Sequence, residues 1–326
     1  MVKKIVKKKI ALITTGGTIA SKEVSKGLLR SGVLTGEELA SLCQLPEDIE
    51  VKIVDVMQKP SMHIDFEKMK EIRDAILKEL QDSTICGIVV THGTDSLEET
   101  AYFLDITIND SRPIVVTGSQ RSPHDIGTDV YSNLRNSIYV AVDPNLHHTG
   151  VVVVFNERIY SAKYVKKVHA SNVQGFESFG YGYLGIIDND VVSIYQKPIV
   201  KDYYIMKRNI PRVDIIKCYT GADGVFIEAA IHAGAKGIVL EGVGRGQVSP
   251  LMMSAIKRAI ASGIVVVVTT SAEEGKVHPS YSYTGSAHDL QQNGVILGED
   301  YDSKKARIKL AVLLSSVDSV DQSYFK

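Results

Sequence analysis

Short apolar runs separated by longer stretches of mixed polarity recur along most of the chain. The runs 10–14, 51–56, 87–91, 114–117 and 151–155 are rich in β-branched residues and mostly lack a polar alternate position. Strands buried on both faces read this way. Between them, segment 66–80 places Met69, Ile72, Ile76 and Leu80 three and four residues apart, which makes one apolar stripe on a helix. Segments 98–106 and 133–142 repeat that pattern over shorter spans. The alternation predicts an α/β fold with a mostly parallel sheet and flanking helices.

The pattern lapses near residues 195–212. There Tyr195-Gln-Lys-Pro198 and Arg208-Asn-Ile-Pro211 bracket a charged stretch without a period, and proline punctuates both ends. Beyond it a second alternation starts, with strands expected at 215–217, 237–240 and 264–269 and helices at 225–233 and 251–261. Two domains are therefore expected, a larger N-terminal one over 1–204 and a smaller C-terminal α/β one over 205–326. A length of 326 residues suits that division.

Composition narrows the function classes. Hydrophobic residues at 44% and charged residues at 23% describe a soluble globular chain rather than a disordered one. Lys plus Arg number 37 against 38 for Asp plus Glu, so net charge argues for neither nucleic acid nor an anionic membrane as partner. No apolar run approaches the ~20 residues that span a bilayer. Cys43, Cys86 and Cys218 are odd in number and far apart, which fits a reducing compartment better than a disulfide framework or a zinc site. Lys3, Lys4, Lys7, Lys8 and Lys9 precede Ile10-Ala-Leu-Ile13, but this apolar stretch is too short for a signal peptide. A cytoplasmic location is expected.

In open α/β sheets ligands bind beyond the carboxyl ends of strands. After the first strand stands Thr14-Thr15-Gly16-Gly17-Thr18, where paired glycines allow close backbone approach and Thr18 offers a hydroxyl. After the third stands Thr91-His92-Gly93-Thr94-Asp95-Ser96-Leu97-Glu98-Glu99. Capping of the next helix accounts for an acid and a hydroxyl there, though not for the whole cluster. His92 lacks a second His or Cys at ligand spacing, so a backbone-bonded strand-end histidine is expected and not a metal ligand. Neither glycine cluster, at 16–17 or 242–246, fits the dinucleotide fingerprint.

Thr15-Gly-Gly-Thr-Ile-Ala20 and Val90-Thr-His-Gly-Thr-Asp-Ser-Leu-Glu-Glu-Thr-Ala-Tyr-Phe-Leu-Asp105 resemble the two signature segments of bacterial-type L-asparaginases and glutaminase-asparaginases. The likeness continues through Val116-Thr-Gly-Ser-Gln-Arg121, Asp129-x-x-x-Asn133, Gly180-Tyr-Gly-Tyr-Leu-Gly185, Glu241-Gly-Val-Gly-Arg-Gly246 and Lys305-Ala-Arg307, so it covers essentially the whole chain. The resemblance implies that Thr18 attacks the side-chain amide carbon, that Thr94 helps activate water and that Asp95 binds the substrate's α-ammonium. It places Gly17 and its turn against the substrate. An ungapped register from Asn156 to Phe176 puts Lys167 on the family's catalytic lysine, with Lys163 and Lys166 as the alternatives if the register slips. It implies no metal or organic cofactor, and a homotetramer of two dimers in which a partner's C-terminal domain closes each site.

Three departures surround that site. The family's lid tyrosine has no counterpart in 21–31, because the first tyrosine of the chain is Tyr102; Ser21, Ser25 and Lys26 are the nearby substitutes. Where a serine usually grips the α-carboxylate, Gln58-Lys59-Pro60-Ser61-Met62 offers Lys59 in register and Ser61 two residues on. Around Tyr283–His288 no Glu matches the partner-subunit acid, and Gln247 stands near the usual asparagine. Lys22, Lys26 and Arg30 face one acid, Glu23, in the lid, and Lys59 adds a further cation. The leading reading is an amidohydrolase acting on L-asparagine. The alternatives are an amidase for a modified or anionic asparagine or glutamine derivative, and a non-catalytic amino-acid-binding homologue.

Overall fold

The computed structural model describes residues 7–25, 28–30, 35–41, 43–199 and 201–326, without the side chains of 22–25, 28–30 and 39. The chain divides into two compact units, Met1–Tyr203 and Tyr204–Lys326. The first opens with β1 (Lys8–Gly16), a hairpin of β2 (Lys22–Ser25) and β3 (Leu28–Arg30), and α1 (Gly36–Ser41). Next come β4 (Ile49–Lys59), α2 (Phe66–Glu79), β5 (Ile85–Thr91), α3 (Leu97–Thr107), β6 (Ile114–Thr117), α4 (Val130–Ala141) and β7 (Val151–Phe155). Short strands complete the unit: β8 (Arg158–Ser161), β9 (Lys166–Lys167), β10 (Phe176–Glu177), β11 (Gly185–Asp188) and β12 (Val191–Ile194).

Eight of these strands form one sheet in the order β12-β11-β8-β7-β6-β5-β1-β4. Pairing is parallel from β4 to β7 and antiparallel from there to β12. Both faces are covered, which explains the unbroken apolar runs. Ile10 and Leu12 pack with Val89, Val115, Val152, Leu134 and Ile138 on one side. Met69, Ile72 and Ile76 of α2 are buried too, as the helical stripe predicts.

Strand order also locates the site. After β1 the chain moves outward to β4, and after β5 it moves the other way to β6. β1 and β5 are neighbours, so the crevice between their carboxyl ends is a topological switch point, where open α/β sheets take their ligands.

The second unit contains β13 (Val213–Lys217), α5 (Val225–His232), β14 (Gly237–Gly242), α6 (Met253–Ala261), β15 (Val265–Thr270), α7 (Ala287–Gln292), β16 (Ile296–Leu297) and α8 (Ser303–Ser316). Its four strands are parallel and lie in chain order. The helix expected at 251–261 begins later, at Met253, because Ser249 caps a single 3₁₀ turn from Pro250 to Met252. The expected 133–142 helix starts earlier, at Val130, where the Asp129 carboxylate leaves its own helix to hold the preceding loop.

Candidate active site

Two positive-φ glycines end β1: Gly16 at 102° and Gly17 at 86°. They release the chain into a 3₁₀ turn, Thr18–Ala20, that buries Ile19 and Ala20 and leaves Thr18 half-buried. A Cβ on Gly17 would stand 2.5 Å from the backbone N and 2.6 Å from the Cα of Gly93. The two signature segments thus meet backbone to backbone, and a side chain at Gly17 would force them apart. Thr15 Oγ1 ties the same strand ends together by donating to the Thr91 carbonyl at 2.8 Å. A Cβ on Gly93 would in turn lie 2.9 Å from Ser61 Cβ and Oγ, and Ser96 Oγ donates to the Ser61 carbonyl at 2.8 Å. Gly16 packs against the Lys59 backbone on the other side. Ser61 is buried there, whereas the Lys59 side chain is exposed.

Thr94 is buried at the start of the next turn, and Asp95 beside it keeps 63% of its side chain exposed. Lys167 reaches both. Its Nζ donates to Thr94 Oγ1 at 2.8 Å and to Asp95 Oδ1 at 2.6 Å, with 13% of the side chain exposed. Lys163 instead sets its Nζ 4.8 Å above the Tyr164 ring, and Lys166 pairs in the β9–β10 ribbon. Lys167, which contacts both Thr94 and Asp95, is the residue that the ungapped register selects.

Gln120, unassigned in the sequence reading, completes the surroundings of Thr94. Thr94 Oγ1 lies 3.4 Å from Gln120 Oε1, while Gln120 Nε2 donates to the His169 carbonyl at 3.3 Å. A carbonyl only accepts, so this contact fixes which end of the amide faces Thr94. The Asp129 carboxylate holds that loop by accepting from the N–H groups of Gln120 and Arg121, each at 3.0 Å, and from Asn133 Nδ2 at 3.0 Å. The i, i+4 spacing of Asp129 and Asn133 was the available sequence signal.

His92 is buried with Nδ1 2.8 Å from the Gly93 carbonyl and Nε2 2.9 Å from Thr100 Oγ1. The carbonyl requires the proton on Nδ1, so Nε2 accepts from Thr100. Burial depresses its pKa to about 4, against a smaller opposite effect of the Gly93 bond, and keeps the ring neutral. No group of three or more His, Cys, Asp or Glu able to hold a metal ion occurs among the described residues.

The remaining expected residues are placed as follows. Ser21 is buried and donates to the Gly17 carbonyl at 2.8 Å, so it braces the turn that carries Thr18. Lys26 lies outside the described residues, as do the side chains of Lys22, Glu23, Ser25 and Arg30, although the backbone of these four forms the β2–β3 hairpin. Gln247 belongs to the second unit, where its Oε1 accepts from the Ala287 N–H at 2.9 Å, at the start of α7.

A threonine-bearing glycine turn beside a Thr–Asp–Lys cluster at a parallel-sheet switch point is the kind of site a hydrolase uses. Residues 9–200 match the family model of the asparaginase N-terminal domain, and 212–323 match that of the glutaminase/asparaginase C-terminal domain. The chain belongs to the asparaginase family. It is 59% identical over 309 residues to the L-asparaginase of Bacillus licheniformis, covering 95% of this chain and 96% of that protein. L-asparaginase 2 of Bacillus subtilis is 33% identical over 327 residues, covering 97% and 85%. The crystal structure of a probable cytoplasmic L-asparaginase from Campylobacter jejuni superposes with a TM-score of 0.88 at 30% identity, over 98% of this chain and 99% of that one.

Proposed function

We propose that this protein hydrolyses L-asparagine to L-aspartate and ammonia through an ester on Thr18. The observation that carries this reading is the double contact of Lys167 Nζ with Thr94 Oγ1 and Asp95 Oδ1, beside the backbone junction of Gly17 and Gly93. A threonine hydroxyl is a weak nucleophile and needs a neighbouring proton acceptor. Thr18 Oγ bonds to the side-chain amide carbon as its proton leaves. Backbone N–H groups of the glycine turns stabilise the oxyanion. The C–N bond then breaks and nitrogen leaves as ammonia after taking up a proton. Water activated through Thr94 and Lys167 splits the ester, which frees aspartate and restores the hydroxyl. In this reading Asp95, whose side chain stays 63% exposed, receives the substrate's α-ammonium and Ser61 the α-carboxylate.

Exposed Lys59 at the end of β4 favours a second reading, in which a modified or anionic asparagine is the better substrate. Ammonia release from asparagine, glutamine and several N-substituted asparagines separates the two. Turnover of the substituted compounds alone selects the second reading, and binding without turnover selects a non-catalytic homologue. The free cysteines Cys43, Cys86 and Cys218 support a cytoplasmic location. No helix among the described residues is long and apolar enough to cross a membrane.

A further inference from the structure

Glu98 carries a carboxylate with 1% exposure in the first turn of α3. A glutamate there ordinarily serves its own helix by complementing the dipole or the free N–H groups. Here Oε2 accepts the backbone N–H of Lys167 at 3.2 Å, from a residue 69 positions away in the sequence. Lys167 sits in β9, which is two residues long and pairs only with the two residues of β10 among the described strands. A ribbon so short does not hold its own position. Asp95 precedes Ser96, the N-cap of α3, and Glu98 follows it in the first turn, so the two carboxylates flank the start of the helix. One takes the lysine's ammonium and the other its main chain.

We propose that Glu98 is a positioning residue for the reaction: it anchors the Lys167 backbone so that Nζ meets Thr94 and Asp95 together. The inference rests on the proton-handling role given to Lys167 above. Glu98 touches no reacting atom and acts through the lysine. Displacement of a reacting group by about 1 Å costs on the order of 100-fold in rate. Losing the anchor should therefore reduce kcat far more than it changes KM.

The test is steady-state ammonia release from asparagine by Glu98→Ala, Glu98→Asp, Glu98→Gln, Lys167→Met and the double variant Glu98→Ala/Lys167→Met. Aspartate binding and thermal melting are measured for each. Glu98→Ala is expected to lower kcat roughly 30- to 100-fold with KM within about threefold. Glu98→Asp, one methylene too short, should lose at least about tenfold while folding and binding aspartate normally. Glu98→Gln keeps an acceptor oxygen at the same reach and should recover kcat to within about fivefold of the native enzyme. Adding Glu98→Ala to Lys167→Met should cost less than about threefold more, because both act on one unit. Additive losses in the double variant would overturn the proposal, as would Glu98→Gln falling as far as Glu98→Ala or Glu98→Asp retaining full turnover. Wild-type turnover by Lys167→Met would instead defeat the reading of the lysine itself, and the anchor with it.

Discussion

Thr94 has one proton and two lone pairs, and its neighbours engage the proton and one lone pair. The Lys167 ammonium donates to the oxygen at 2.8 Å, which turns the Thr94 proton toward an acceptor such as Gln120 Oε1. A threonine held in this way passes a proton only in concert with the lysine. Thr94→Val and Lys167→Met should therefore each cost several powers of ten in kcat, and the double variant should be little worse than the poorer single. Fully multiplicative losses in single-turnover assays would contradict a shared proton path. Thr18→Ala should abolish nearly all ammonia release yet still bind aspartate by calorimetry, since it removes one hydroxyl and leaves Ser61 and Asp95 in place. Native turnover by that variant would exclude covalent catalysis at Thr18. Asp95→Ala differs in kind. It removes the partner of Lys167 and the group proposed to hold the substrate's ammonium, so kcat and KM should both worsen.

At the scale of the element, α3 carries the site at one end and a pH-sensitive tie at the other. Asp105 Oδ1 accepts the Val151 N–H at 2.8 Å, joining the end of α3 to the start of β7. Burial raises the Asp105 pKa to about 6, against the lowering effects of that bond and of Lys201. The folded state thus holds this proton more tightly than the unfolded chain, and the resulting stability is present below about pH 4 and lost as pH rises through 6. Asp105→Asn keeps an acceptor without the charge. It should stabilise the protein by up to about 3 kcal/mol at pH 7.5, with the gain vanishing near pH 4. Urea melts at the two pH values check this, and an equal gain at both would refute the assignment. The β2–β3 hairpin gives a second prediction. Replacing Lys22, Lys26 and Arg30 together by glutamine should flatten any preference for anionic asparagine analogues and its dependence on salt. An unchanged kcat/KM ratio between analogue and asparagine would leave the hairpin cations without a role in selectivity.

Elements also explain what the sequence disclosed. Both signature turns were legible because each sets glycine among hydroxyl residues directly after a buried strand, the second with an acid as well. α8 was not, since it is buried around most of its circumference and shows no one-sided stripe. Lys305 and Lys309 interrupt its apolar pattern, yet both are buried; Lys309 donates to the Tyr301 hydroxyl at 2.7 Å. The lysine at the site was ambiguous for a related reason. Three lysines fall within five residues of irregular chain and a two-residue strand, where no period marks a face, so only tertiary contact separates Lys167 from Lys163 and Lys166.

For the whole molecule, the second unit presents apolar side chains that a lone subunit would leave wet. Val225 and Phe226 at the start of α5 are 63% and 59% exposed, and Leu251 just before α6 is 63% exposed. These helices touch at their starts, because a Cβ on Gly224 would stand 2.6 Å from Ala255 Cβ. The three residues therefore lie at one end of a helix pair, and exposed apolar side chains placed together mark a protein interface more often than scattered ones do. We propose that this patch belongs to the self-associating assembly that the family resemblance implies, a tetramer of two dimers with Gln247 brought to a partner's site. Such an arrangement makes activity depend on assembly. Phe226→Asp together with Leu251→Asp should shift sedimentation toward smaller species and lower kcat/KM by at least about tenfold, while each subunit stays folded by circular dichroism. Dilution of the native enzyme should reproduce the loss, and added protein should reverse it. A native enzyme that sediments as a monomer at full specific activity would show that each subunit completes its own site.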